Sequence, residues 1–119
     1  MQVLRLNRGN EAFYSVMGPV FGSRVVEQDT HDRFYDDPEK EWYVLPGQGA
    51  ASVRDGSIRN FWAVGDAADG LLAAILADYP RVSGIVPRRY ETAFRRAGFD
   101  TSGYRVNFME VRYVQGKDC

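Results

Sequence analysis

Residues 60–99 read NFWAVGDAADGLLAAILADYPRVSGIVPRRYETAFRRAGF, and this stretch decides the fold. Phe61 to Val64 has the apolar, aromatic content of a buried strand. Leu71, Leu72, Ile75 and Leu76 recur at helical spacing, which predicts a helix over about residues 67–77 with one buried stripe. Either Asp66 or Asp69 is expected to cap it. Tyr79 ends it, because the residue before a proline disfavours helical backbone. Arg81 to Val86 is the next strand. Gly84 in its middle marks a place where another backbone is expected to approach closely. A second helix then opens with Pro87 at its first position. Tyr90, Ala93, Phe94 and Ala97 fall at i, i+3, i+4 and i+7, and Gly98 suits a left-handed C-cap. The unit is strand, helix, strand, helix.

Upstream, Gln2 to Leu6 reads as a short strand with Leu4 and Leu6 on one face. Asn10 is placed to cap the helix that follows. Phe13, Met17 and Phe21 recur at spacing four with Val16 and Val20 beside them, giving that helix one apolar face. Pro19 inside the pattern is expected to kink or stop it near Gly18. Residues 23–28 read as a further helical turn. Residues 29–41 are polar and acidic and read as a solvated loop, anchored by Phe34 and Tyr35. Asp29, His31, Asp32, Asp36 and Asp37 fall in it, but a lone histidine among loop carboxylates has no metal-ligand spacing. No metal is expected.

Trp42 to Leu45 reads as a strand, and residues 46–49 as a turn. Residues 50–54 and 57–64 then flank Asp55 and Gly56, a strong two-residue hairpin signal. At the other end of the chain, residues 104–114 read as one long strand, or as two broken near 107–109. Helices and a mostly antiparallel sheet then share one core, an α+β arrangement with helices on both faces.

The chain has 119 residues, 45 % hydrophobic and 26 % charged, which suits one globular domain spanning 1–119. Its net charge of −1 supplies no global attraction to nucleic acid or anionic membrane. Cys119 is the one cysteine, so no internal disulfide can form, consistent with a reducing compartment. No apolar run reaches the length of a membrane span, and the first residues lack a signal-peptide core. These features point to a soluble, cytoplasmic protein. Arg88, Arg89, Arg95 and Arg96 line the outer side of the last helix. No nucleic-acid-binding signature accompanies them, and a solvated helix face is the ordinary reading.

The element order, and the segment from Val86-Pro87 through Tyr90 and Phe94 to Gly98-Phe99, resemble the GNAT superfamily of N-acetyltransferases. The family's segment commonly reads Asn-Pro-x-Ala-x-x-x-Tyr-x-x-x-Gly-Phe. The resemblance implies a GNAT-like fold and acetyl transfer from acetyl-CoA to an amine. Backbone groups of Phe61, Trp62, Ala63 and Val64 would then meet the pantetheine arm. Gly65, Ala67, Ala68 and Gly70 would stand in the loop that cradles the pyrophosphate. Asp66 and Asp69 place carboxylates in that loop, where they compete with a phosphate for the helix N-terminus. The family's catalytic tyrosine falls on Phe94, and its asparagine on Val86. Tyr90 and Tyr104 are the substitutes by type for the acid, and Glu41 and Glu110 for the base.

The same departures fit a second reading, a non-catalytic GNAT-like binding or structural protein. Small proteins of that kind occur in phages, some as virion components. Its contact surface would be the arginine row, or Phe34 and Tyr35 with Trp42. Many family members dimerise through their last strands, so a homodimer is a further expectation.

Overall fold

The structure is a computed structural model, and it describes residues 2–115. Seven strands form one sheet in the order β1-β2-β3-β4-β5-β7-β6. The elements run β1 (Leu4–Leu6), α1 (Phe13–Phe21), α2 (Arg24–Thr30), β2 (Glu41–Leu45), β3 (Gly49–Arg54), β4 (Ser57–Ala63), α3 (Ala67–Asp78), β5 (Arg81–Pro87), a 3-10 turn (Arg88–Tyr90), α4 (Glu91–Arg96), β6 (Asp100–Gly103) and β7 (Phe108–Val114). The expected mostly antiparallel sheet with helices on both faces is what forms. Among the described strands only β4 and β5 pair in parallel.

Alternation along each strand divides the core in two. Tyr43, Leu45, Ala51 and Phe61 face α3 and α4. Trp42, Val44, Ala50 and Trp62 face α1 and α2. Burying each large apolar side chain contributes roughly 1.5–3 kcal/mol. The α1/α2 layer covers the β1–β4 half of its face. Beyond β4 that face is bare, so Ser83, Ile85, Glu110 and Arg112 are exposed while Val82, Val86, Met109 and Val111 are buried beneath the other helices.

Asp55 and Gly56 both have positive φ, 53° and 74°, as the tight β3–β4 hairpin requires. Gly98, with φ 99°, follows the Ala97 C-cap and ends α4 in the left-handed conformation expected of it.

Several boundaries correct the sequence reading. Asn10 does not cap α1. Its Oδ1 accepts the Asn7 N–H, and Ala12 holds the cap position without a side-chain bond. Pro19 does not stop α1, which runs on to Phe21. The carbonyl that loses its partner belongs to Ser15, on the exposed side of the helix, where water can replace the missing donor. α2 continues to Thr30, two residues past the expected turn, and His31 closes it in the left-handed conformation.

Pro87 ends β5 opposite Phe108 rather than opening a helix. Its ψ of 136° is extended. Neither Asp66 nor Asp69 caps α3 with its side chain; Asp69 instead pairs with Arg96 at 2.9 Å. The last strand pair breaks at residues 104–107. Tyr104 therefore lies in the connection, and the first strand of the pair starts back at Asp100. Cys119 lies outside the described residues.

The acidic loop is not a solvated one. Asp36 accepts from the Trp42 indole at 3.2 Å and pairs with Arg8 at 2.7 Å. Asp37 pairs with Arg54 at 2.9 Å, and Asp32 accepts from the Asn60 amide at 2.9 Å. The carboxylates stitch the loop to the sheet. Phe34 anchors it, being 4 % exposed, but Tyr35 is 63 % exposed. Trp42 is fully buried, so it and Phe34 offer no contact surface.

Candidate functional site

β4 and β5 pair only at Ser57–Ser83 and Ile58–Gly84. Beyond those positions they diverge. Gly84 fixes the apex, because a Cβ there would lie 2.5 Å from the Ile58 carbonyl oxygen. A residue with a side chain would force the strands apart at the point where they must meet.

A cavity of about 880 Å³ extends from this gap across the bare face of β5, β7 and β6. Phe61 and Pro87 border it at the gap. Across the sheet, register sets two lateral rows. One runs Ser57, Ser83, Arg112, Asp100; the other brings Ile85, Glu110 and Ser102 side by side, with Arg59 across the gap. Tyr104 and Arg105 wall the far end, the guanidinium lying 5.2 Å from the Tyr104 ring.

The near wall comes from Asp32. Behind it is a buried polar chain. Asn60 holds Asp32, and Ser52 and Lys40 both donate to Asn60 Oδ1, at 2.7 and 3.0 Å. The Lys40 ammonium also donates to the Tyr35 carbonyl at 2.9 Å. Burial pushes the Lys40 pKa down, and the nearby carboxylates of Asp37, Asp32 and Asp36 only partly oppose it. Among the described residues no three His, Cys, Asp or Glu side chains converge as a metal-binding group.

The residues singled out in the sequence fall in three places. Tyr104 and Glu110 line the cavity. Glu41 is at the opposite edge of the sheet, where it accepts from the Asn7 amide at 3.2 Å. Tyr90 is on the α3/α4 side of the gap, 7 % exposed. Its hydroxyl accepts the Ala63 N–H at 3.2 Å, and its ring stands edge-on to Phe61. Burial raises its pKa, so the phenol stays protonated. Phe94 is fully buried between Phe61 and Phe99.

These positions allow a test of the acyl-CoA site. The Ala63 N–H, on the edge of β4 that the divergence exposes, is taken by Tyr90. The Val64 N–H is bonded to Gln48 at 2.8 Å. At the start of α3, the Ala67 N–H bonds Val64 O and the Asp69 N–H bonds Asp66 O. Ala67 and Ala68 are packed in the core. Trp62 faces the other helix layer, donating to Asp29 at 3.2 Å. Gly65 has room and positive φ, but Asp66 beside it carries negative charge, and Asp69 is paired with Arg96. A diphosphate needs free N–H groups and positive potential. Two of those N–H groups, of Ala67 and Asp69, are used within the chain here, and a carboxylate stands beside them.

The arginines of the row each have partners within the fold, and Arg89, Arg95 and Arg96 remain more than half exposed. Arg88 donates to the carbonyls of Arg105 and Phe108. Arg89 pairs with Asp29, Arg95 with Glu91, and Arg96 with Asp69. The sequence reading missed Arg59, Arg112 and the Lys40–Asn60 chain. Arg112 had a signal: Ser83, Ile85, Glu110 and Arg112 alternate with Val82, Val86, Met109 and Val111. A polar alternate face on inner strands marks a face that no helix covers. Lys40 and Asn60 carried no comparable signal, since their contact spans 20 residues.

No protein-family model matches the chain, and no curated protein matches it. Among solved structures it is similar to the Campylobacter jejuni N-acetyltransferase PseH, determined in complex with acetyl coenzyme A. The TM-score is 0.56 at 11 % identity, covering 97 % of this chain and 100 % of that chain. At that identity the likeness shows the fold alone. The chain has a GNAT-like fold.

Proposed function

We propose that the protein is a non-catalytic GNAT-fold binding protein: its acyl-CoA site is closed, and its cleft takes a small polar ligand. The observation that carries this reading is the Tyr90–Ala63 hydrogen bond. It spans the gap at the level where a pantetheine arm would meet β4, and aromatic rings pack behind it. The Asp66 carboxylate at the start of α3 adds repulsion where a diphosphate would rest. The cleft lies on the opposite face and is independent of that closure.

A second reading is acyl-CoA-dependent N-acyl transfer, with acetyl-CoA as donor and an amine as acceptor. The cleft favours it, since it keeps the strand divergence and places Glu110 and Tyr104 on its walls. Proximity of an amine to a carboxylate base is what such chemistry needs from the chain's own residues.

Isothermal titration with acetyl-CoA, with free CoA alongside, separates the two. The proposed reading expects no heat at millimolar ligand. Micromolar binding of acetyl-CoA would overturn it in favour of the acyltransferase.

A further inference from the structure

We propose that the cleft binds a small zwitterion: an amine that also carries a carboxylate or phosphate group. Arg59 and Arg112 take the anion, and Glu110 takes the ammonium. The inference rests on reading the cleft as a ligand site, and it names the ligand's chemistry.

The fold has already used part of its charge. Six arginines pair with carboxylates, Arg5, Arg8, Arg54, Arg89, Arg95 and Arg96. Among the described residues Arg59, Arg112 and Glu110 form no ion pair, while Asp100, the register partner of Arg112, is already engaged. All three line one concavity. Glu110 and Arg112 stand two residues apart on the same face of β7, about 7 Å along the strand. That separation is too long for one small ion to bridge and suits a molecule with two charged ends.

Charge balance narrows the class. A simple anion drawn to the guanidiniums also meets Glu110, Asp32 and Asp100. A simple cation drawn to those carboxylates meets Arg59 and Arg112. A molecule carrying both charges satisfies each set without opposing the other. Arginine's planar donors match a carboxylate or phosphate in pairs. Asp32 is pinned by Asn60 and so presents a fixed second acceptor for the ammonium. Ile85 and Phe108 give the cleft an apolar floor for a short carbon linker.

Exposed charge pairs contribute modestly, so affinity in the millimolar range is expected. The test is amide NMR on the full chain with four probes: O-phosphoethanolamine, β-alanine, ethanolamine and inorganic phosphate. Either or both zwitterions, at about 10 mM, roughly tenfold above a millimolar Kd, should shift the amides of residues 83–85 and 110–112. Which one binds more tightly decides between phosphate and carboxylate. The single-charge probes should bind at least about tenfold more weakly, the loss of one of two charge contacts. Glu110→Gln and Arg59→Gln, both exposed and outside the core, should each weaken the zwitterion by a similar factor. Ethanolamine or phosphate binding as tightly as the zwitterions would overturn the inference, as would unshifted cleft amides or variants without effect. The acetyl-CoA titration is independent: silence there with no zwitterion binding rejects the ligand class alone, while acetyl-CoA heat rejects the closed-site reading.

Discussion

The Tyr90 hydroxyl accepts the Ala63 N–H at 3.2 Å, tying the 3-10 turn after β5 to the end of β4 across the gap that separates the strands. Two consequences separate its hydroxyl from its ring. Tyr90→Phe keeps the packing and leaves the Ala63 N–H without its partner. It should cost about 1 kcal/mol, read as a lower urea midpoint at unchanged slope. Tyr90→Ala also removes the ring from its edge-on contact with Phe61 and should cost roughly 3–5 kcal/mol. Equal losses for the two variants would mean that the hydroxyl alone matters and the ring contact adds nothing.

Gly84 and Gly18 make opposite predictions for the same substitution. At Gly84 a Cβ meets the Ile58 carbonyl oxygen at 2.5 Å and its Cβ at 2.9 Å. The obstacle is backbone, so it cannot rotate away. Gly84→Ala should destabilise by roughly 1–3 kcal/mol or more and disturb the apex of the cleft. At Gly18, inside α1, nothing lies within 4 Å. Gly18→Ala should stabilise by about 0.5–1 kcal/mol. Thermal melts of the two variants should move in opposite directions from wild type.

What the sequence made legible follows from range. The Asp55-Gly56 turn, the stripe of α3 and the Gly98 cap depend on residues within a few positions of one another, and local conformational preference specifies them. The order of elements, and with it the GNAT-like sheet, follows from those local patterns. The acidic loop was misread because its partners are remote: Asp32 reaches Asn60 across 28 positions and Asp29 reaches Trp62 across 33. No local pattern distinguishes a carboxylate that faces water from one that meets an indole N–H. Tyr90 shows the same limit. Its spacing placed it correctly on the buried face, yet only the assembled sheet brings its hydroxyl to Ala63.

Lys40 predicts an unusual alkaline effect. The residue is 4 % exposed, and its ammonium donates to Asn60 and to the Tyr35 carbonyl. Lys40→Met should cost roughly 1–3 kcal/mol through the lost charged hydrogen bonds. Burial lowers its pKa in the folded state, while the unfolded value is about 10.4. Below the folded value both states carry the charge, and the native state bears the full burial cost. As pH rises through the folded value, the native lysine releases its proton first. The unfolded chain then holds more protons, so stability rises with pH until about 10.4. Urea midpoints of wild type minus Lys40→Met, taken between about pH 8 and 10.4, should therefore climb. A flat difference would show that the folded lysine titrates normally.

Asp78 controls the acid limb at the opposite edge of the sheet. Its Oδ2 accepts from Arg5 Nε and from the Tyr43 hydroxyl, each at 2.7 Å. The Arg5 hydrogen bond first, and the Tyr43 one second, hold its carboxyl below the usual carboxylate range. The folded pKa is depressed, so the stabilisation is present above the unfolded value of about 3.9 and is lost as pH falls through the folded one. Burial raises the Tyr43 phenol, which keeps it a donor across this window. Tyr43→Phe removes that donor while leaving the ring in the core. It should cost about 1 kcal/mol at neutral pH and let Asp78 titrate closer to its ordinary value. Below the lower of the two folded values Asp78 is protonated in both proteins, and much of the difference between them should disappear. Acid titrations of wild type and Tyr43→Phe should thus converge as pH drops. A difference that stays constant to the foot of the curve would place the loss in packing and leave Asp78 without a role in the acid transition.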